Sequence, residues 1–280
     1  MAASHSGVLS NLEIRKARDD GHIVIEPFHD SHLQGSSYDV SLGMYYFRTA
    51  LTVPHTAPAT ADGVRALAED VALDVVRGTC PDGEYRSQYE QGGQRKIVYN
   101  FYDQVEVIRY FGDVCQAEPF GEACERLKLN PDEYSGIAAD ELVIPMAPRE
   151  RILAHSHEFI GILPPGTTEL RARSTTGRNG VTVAKCAGWG DPGYINRWTW
   201  EVENAQDAWI FLKAGMRVGQ IVFHATGEVG GSYATLTGNY QSGQQLKEVK
   251  ANWRPADMLP RGKADRCVLP HIDGLSPGLA

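Results

Sequence analysis

A mainly β fold, a barrel or sandwich of short strands, is predicted by three observations: brief apolar runs recur between turn residues, only one stretch carries clear helix-boundary signals, and no fixed-period repeat occurs. The runs lie at 23–25, 38–42, 152–154, 159–163, 181–184, 198–202, 210–212 and 218–223, a spacing that suits antiparallel strands joined by turns. The helix comes first. Ser10 followed three residues later by Glu13 forms a capping-box pattern, and the stretch through Ile14, Ala17 and Arg18 stops at Gly21, a residue that enters the left-handed region without cost. Residues from about 52 to 141 break the strand rhythm, with an acidic small-residue stretch at 57–74 and a mixed polar and aromatic stretch at 85–120, and read as an insertion. The tail from about 246 to 280, with Pro255, Pro260, Pro270 and Pro277, reads as an extended arm of one domain spanning 1–280.

Composition narrows the function classes. With 42% hydrophobic residues the chain can bury an ordinary core, which excludes a disordered or fibrous protein. A formal net charge of −8 argues against nucleic acid or an anionic membrane as partner, because both require a broad basic surface, so any bound phosphate must be held locally. The five cysteines are odd in number and lack paired short spacing, which favours a reducing compartment. The first residues show no basic stretch leading into an apolar one, and no apolar run has the length of a membrane span; the expected location is the cytoplasm.

Candidate chemistry is concentrated at 171–204. Arg171, Arg173 and Arg178 stand among the hydroxyls of Ser174, Thr175 and Thr176 and the glycines Gly177 and Gly180, a combination of guanidinium forks, O–H donors and open backbone N–H groups that suits a polyphosphate. The same residues also fit a solvated polar turn. Gly188-Trp189-Gly190-Asp191-Pro192-Gly193-Tyr194 reads as a tight turn carrying two rings and a carboxylate, able to enclose a sugar or base, or simply a hairpin with structural aromatics. In the following strand, alternation puts Trp198, Trp200 and Val202 on one face and Thr199, Glu201 and Glu203 on the other. A carboxylate between tryptophans is partly shielded from water, as a general base must be, although a polar strand face open to solvent shows the same pattern.

The order of these pieces resembles the dCTP deaminase pattern of the dCTP deaminase and dUTPase family. That pattern runs Arg-Ser-(Ser/Thr)-x-Gly-Arg-x-Gly, Ala-Gly-x-x-Asp-Pro-Gly-(Tyr/Phe), Thr-x-Glu-x-x-Asn and Gly-Met-x-x-Gly-Gln, and this chain carries it from Arg173 to Asn204 and again from Gly215 to Gln220. Val8-Leu9-Ser10, Ile25-Glu26-Pro27-Phe28 and Gln34-Gly35-Ser36-Ser37-Tyr38-Asp39-Val40 look like the family's opening helix, loop and first strand. The resemblance covers roughly the first fifty residues and about 141–245. It implies a distorted β-barrel or jelly-roll of the dUTPase-like type, with a short N-terminal helix and an inserted α/β segment.

By position, the resemblance implies a homotrimeric hydrolase of pyrimidine deoxyribonucleotide metabolism, forming dUTP from dCTP in active sites between subunits. Glu201 would activate the water that attacks carbon 4 of cytosine, the backbone of Ala187 would position that water, and Ser174 and Arg178 would hold phosphates and polarise the site. Arg173, Thr175, Trp189 and Thr199 would join substrate binding, and Asp191 and Tyr194 would border the deoxyribose. Tyr233, Tyr240, Gln241 and Gln244 resemble a segment that closes over the triphosphate. Magnesium would arrive with the nucleotide phosphates. Zinc is not implied, since the His-x-Glu and Pro-Cys-x-x-Cys segments of zinc deaminases do not occur as a set, and His155-Ser156-His157-Glu158 stands without partner segments.

Trp189 resembles members that also cleave the α–β phosphate link to give dUMP and pyrophosphate, with Asp191 as the base for that second reaction. The chain departs from the pattern at Asn239, where a phosphate-binding lysine is usual, at Thr176 and Asn179, which replace leucines, and at Asn196, which replaces a turn glycine. An extra residue also stands between Tyr240 and Gln244. Two further readings follow from the residues: a plain dUTP diphosphatase using Asp191, against which Glu201 argues, and a non-catalytic nucleotide sensor whose working surface is the insertion.

Overall fold

The computed structural model describes residues 7–48, 88–91, 94–97, 100–185, 187–233, 235, 238–241, 243 and 245–264. The acidic stretch at 57–74, Gln244, Pro270 and Pro277 lie outside the described residues. In chain order the strands begin with β1 (Gly7–Val8), β2 (Ile23–Glu26), β3 (Tyr38–Arg48), β4 (Gln88–Gln91), β5 (Gln94–Ile97), β6 (Cys115–Gln116), β7 (Glu118–Pro119) and β8 (Leu142–Met146). They continue with β9 (Arg151–Ser156), β10 (Phe159–Ile162), β11 (Gly166–Ala172), β12 (Val181–Thr182), β13 (Trp189–Gly190), β14 (Ile195–Asn196), β15 (Thr199–Asn204), β16 (Ile210–Lys213) and β17 (Arg217–Ala225). The helices are α1 (Asn11–Asp19), α2 (Gln104–Phe111), α3 (Phe120–Leu127), α4 (Ser174–Arg178) and α5 (Leu246–Asn252). The predicted class is borne out: the structure is mainly β, with short helices at its N-terminus and in the inserted segment.

The main sheet runs β12-β15-β9-β3-β17-β11-β13, with β1 beside β17 and β6 beside β3, and every pairing in it is antiparallel. Two three-stranded sheets, β14-β10-β2 and β16-β8-β7, flank it. Register shifts between Leu42 and Tyr46 on β3, and between Arg217 and Gly219 on β17, bend the sheet, as extra residues in an antiparallel ladder do. The core lies inside the curl. Ile14 and Ala17 of α1, Tyr38, Val40 and Leu42 of β3, Trp200 and Val202 of β15, and Ile221 and Phe223 of β17 are buried together. Each large side chain so enclosed contributes roughly 1.5–3 kcal/mol.

α1 has the predicted boundaries. Ser10 accepts from the backbone N–H of Glu13, while the Glu13 carboxylate accepts from the backbone N–H of Ser10 at 2.8 Å. Gly21, just past the helix, has φ of +79°. The strand runs of the sequence all appear, but β3 extends to Arg48, well beyond 42, and outside the insertion two strands of four or more residues were not predicted. One is β8. The other is β11, where Thr167 and Thr168 are buried in place of aliphatic side chains, so no apolar run marks it.

Within the inserted segment, α2 starts at Asp103, whose side chain accepts from the backbone N–H of Val105 at 2.9 Å. It buries Val107 and Phe111 against Phe47, Leu153, Met258 and Leu259. Farther along the chain, Val249 and Trp253 pack on Phe159. Residues from the insertion and from 246–264 therefore cover the outer face of β9, the strand paired with β15. Among the described residues no helix is long and apolar enough to cross a membrane.

Candidate active site

The alternation read from the sequence decides how β15 is presented. Trp198, Trp200 and Val202 are 0–3% exposed in the core, and Thr199, Glu201 and Glu203 face outward, half-buried. Glu201 stands opposite Leu153 of β9 and Thr199 opposite His155. The strand's far end is pinned by Asn204, whose buried amide donates to the carbonyls of Ala147 and Ala208 at 2.8 and 2.9 Å and whose Oδ1 accepts from the backbone N–H of Gln206.

A cavity of about 380 Å³ lies over this row. Glu201, Thr199, Ala187, Trp189, Asp191, Tyr194, Tyr233 and Tyr240, eight of the residues picked from the sequence, line it together. The turn that carries Asp191 is closed by the Tyr194 N–H donating to the Asp191 carbonyl at 2.9 Å. A Cβ at Gly190 would fall 2.5 Å from the Trp198 ring, so glycine lets β13 approach it. Tyr194 is held edge-on between Trp198 and Tyr233, with ring centroids 5.2 and 4.9 Å away. Burial, with Tyr233 adding to it, pushes the Tyr194 phenol up, so it stays neutral. Trp189, 62% exposed, lies at the cavity's rim.

Downstream of the barrel the chain is tied to the site by backbone bonds. The Tyr233 hydroxyl accepts from the N–H groups of Asn239 and Tyr240, both at 3.1 Å, and the Asn196 amide donates to the Tyr240 carbonyl at 2.5 Å. Gln241, absent from the cavity lining, accepts from the Ile195 N–H at 2.7 Å. Asn196 therefore serves as an anchor for this segment. Arg261 donates to the carbonyl of Asn239 at 2.7 Å and pairs with Asp257 at 2.5 Å.

The remaining residues picked from the sequence lie elsewhere. Ser174, Thr175 and Arg178 are exposed on α4, at the end of β11, and do not line the cavity within this chain. Arg173 pairs with the buried Asp39 at 3.4 Å and donates to the Arg217 carbonyl at 3.0 Å, which makes it a brace for the turn. Thr176 is buried and bonds the carbonyls of Arg173 and Val218, fixing the turn to β17.

Several residues missed by sequence reasoning also line the cavity. Arg197 carried a signal, since it shares the parity of Thr199 and Glu201. Phe111, Trp253, Asp257 and Met258 come from the insertion and the tail, where nothing local in the sequence pointed to this place.

Residues 111–226 match the sequence model of a family described as dCTP deaminase-like. A protein named dCTP deaminase, dUMP-forming, from Methanobrevibacter smithii is 37% identical over 218 residues, covering 77% of this chain and 79% of that one. One of the same name from Methanopyrus kandleri is 38% identical over 132 residues, 46% of this chain and 64% of that one. The crystal structure of the 2′-deoxycytidine 5′-triphosphate deaminase from Agrobacterium tumefaciens superposes with a TM-score of 0.45 and 13% identity, over 79% of this chain and 49% of that one. The extent and identity of the Methanobrevibacter match, joined to the family match across the cavity-lining strands, show that this chain belongs to the dCTP deaminase-like family.

Proposed function

We propose that this chain is an enzyme that deaminates dCTP, with Glu201 as the general base. The observation that carries the reading is the convergence of Glu201, Asp191, Tyr194 and the Ala187 backbone on one cavity large enough for a nucleotide's base and sugar. In the proposed reaction Glu201 takes a proton from water, the oxygen attacks carbon 4 of cytosine, and the carbon–nitrogen bond of the tetrahedral intermediate breaks as the departing amine receives a proton. The uracil nucleotide dUTP and ammonia result. The Ala187 backbone orients the water, and the Tyr194 ring, fixed between Trp198 and Tyr233, lies against the deoxyribose and disfavours a 2′-hydroxyl.

Because Ser174 and Arg178 are exposed and outside the cavity of their own chain, we propose that a second copy brings them to it, in a homotrimer with sites between subunits. There they hold the phosphates. Magnesium enters as the nucleotide's own counter-ion; among the described residues no three His, Cys, Asp or Glu side chains stand close enough to bind a metal.

A second reaction is favoured by one specific observation: the relatives are named dUMP-forming, and both Trp189 and Asp191 line the cavity. We propose that Asp191 activates a second water to cleave the α–β phosphate link, so that dCTP and two waters give dUMP, pyrophosphate and ammonia. Incubation of the protein with dCTP and magnesium, followed by separate assays for ammonia, uracil nucleotides and pyrophosphate, tests both steps. Ammonia with dUMP and pyrophosphate is the expected result. Ammonia with dUTP limits the chain to deamination, dUMP from dUTP with no attack on dCTP limits it to hydrolysis, and dCTP untouched at every pH overturns the proposal.

A further inference from the structure

Arg197 differs from the other half-buried arginines of the fold. Arg48 pairs with Glu150, Arg173 with Asp39, and Arg261 with Asp257. No carboxylate lies within salt-bridge distance of Arg197 among the described residues, and its Nε is buried without a hydrogen-bond partner. That Nε is closed off from solvent, so an acceptor oxygen in the cavity would be met by the terminal N–H groups of the guanidinium.

Its surroundings determine what such a ligand is. The guanidinium lies over the rings of Phe159 and Trp253, 4.8 and 4.7 Å from their centroids, so aromatic surface occupies its neighbourhood and its N–H groups are left to acceptors lying in the guanidinium plane. That arrangement suits a group with two or three coplanar-accessible oxygens. Arg197 also lines the cavity that holds Glu201, on the same side of the chain as Thr199 and Glu201. It lies four positions before Glu201, just ahead of β15, about 13 Å away for extended backbone, a distance comparable with that between a pyrimidine ring and the outer phosphates of its nucleotide. Glu158, whose pKa burial raises, lies beyond salt-bridge distance of Arg197, and one of its oxygens accepts from the Ser41 N–H at 2.9 Å instead.

We propose that Arg197 is a substrate-positioning residue that holds a phosphate group of the nucleotide from within the same chain as Glu201. This rests on the nucleotide-site reading above and extends it: the cavity grips phosphate at one end in cis, independently of Ser174 and Arg178. The competing role is a strut in which the arginine only pins Trp253.

Inorganic tripolyphosphate separates these roles, since it binds without any deamination. Calorimetric titration of the full chain should give binding that weakens about 10- to 100-fold in Arg197→Met, with Arg197→Lys between the two, as loss of a charge-assisted hydrogen bond requires. With dCTP as substrate, the same variants should raise KM by a similar factor while kcat stays within about threefold. Equal tripolyphosphate binding by wild type and Arg197→Met, or none by wild type, overturns the proposal whatever dCTP does. Tripolyphosphate binding that depends on Arg197, in a protein that neither binds nor converts dCTP, keeps the phosphate site and overturns the deaminase reading instead. Should Arg197→Met fail to fold, Arg197→Lys decides: unchanged KM and unchanged tripolyphosphate affinity sink the assignment.

Discussion

The outer face of β9 and β15 and the turn at 173–180 are both polar in sequence, yet the structure treats them oppositely. Over the first, the insertion and the tail bring Phe111, Trp253 and Met258 to the same cavity as Glu201 and Thr199, so part of a polar strand face becomes the wall of a pocket. The second stays open: Thr176 and Arg173 lock its backbone to β17 and Asp39, while Ser174, Thr175 and Arg178 project into solvent. Within one chain, therefore, the Glu201 cavity is assembled by distant segments, whereas the turn at 173–180 is fixed in place with its polar side chains left outside that cavity. On the function proposed above, those side chains would act in the cavity of a second copy.

The largest effect expected from this contrast is at Glu201. Glu201→Gln removes the proton acceptor and keeps the shape, and should lower deamination by about 10²–10⁴-fold with nucleotide affinity nearly unchanged, measured by ammonia release and by equilibrium titration. Full activity in that variant would show that the base is another group. A sharper test asks whether the two regions act across chains. Glu201→Gln and Arg178→Ala chains, each inactive alone, should regain roughly a quarter of wild-type activity when refolded together at equal amounts, because random assembly around a ring places an intact glutamate beside an intact arginine in about that fraction of sites. No recovery in mixed assemblies confirmed by mass would mean that both groups act within one chain, and the contrast drawn above would fail.

The smallest effect concerns the covering of the cavity. His155 is buried beside Trp253, donates to the Ser156 carbonyl at 2.7 Å and accepts from the Tyr45 N–H at 3.2 Å. Burial pushes its pKa down to about 4 from an ordinary 6.5. In the unfolded chain the imidazole takes up a proton first as pH falls, so the stability it supports is complete above about 6.5 and is lost progressively toward 4, at most on the order of 3 kcal/mol. Glu150 and Glu158, pushed up by burial, slope the other way in the acid range. The informative quantity is therefore the difference between wild type and His155→Gln in denaturant midpoints from pH 7 to 4. The stability of the wild type relative to His155→Gln should fall over that window; parallel pH curves for the two proteins would refute a buried neutral His155.

Much of the site was legible from local rules. Period-two alternation placed Trp198, Trp200 and Val202 inward and Glu201 outward, the Ser10 and Glu13 capping box set the start of α1, and the Gly-Asp-Pro-Gly turn announced a tight hairpin at Asp191. Each of these depends on residues within a few positions of one another, and backbone geometry alone enforces them. β11 escaped because buried threonines replace the aliphatic run that marks a strand.

What the amino-acid order determined by itself was therefore the strand faces, the caps, the turn chemistry and the set of candidate groups. Tertiary structure alone decided which of them meet: that Glu201, Tyr194 and Tyr240 share one cavity, that Phe111 and Met258 line it with them, that Arg173 braces Asp39, and that Arg197 lines the cavity without the carboxylate partner that Arg48, Arg173 and Arg261 have among the described residues. Such meetings join residues up to about 150 positions apart, from Phe111 to Pro260. They follow from sheet register and from the burial of apolar surface, which respond to the whole chain at once and leave no local periodicity to read.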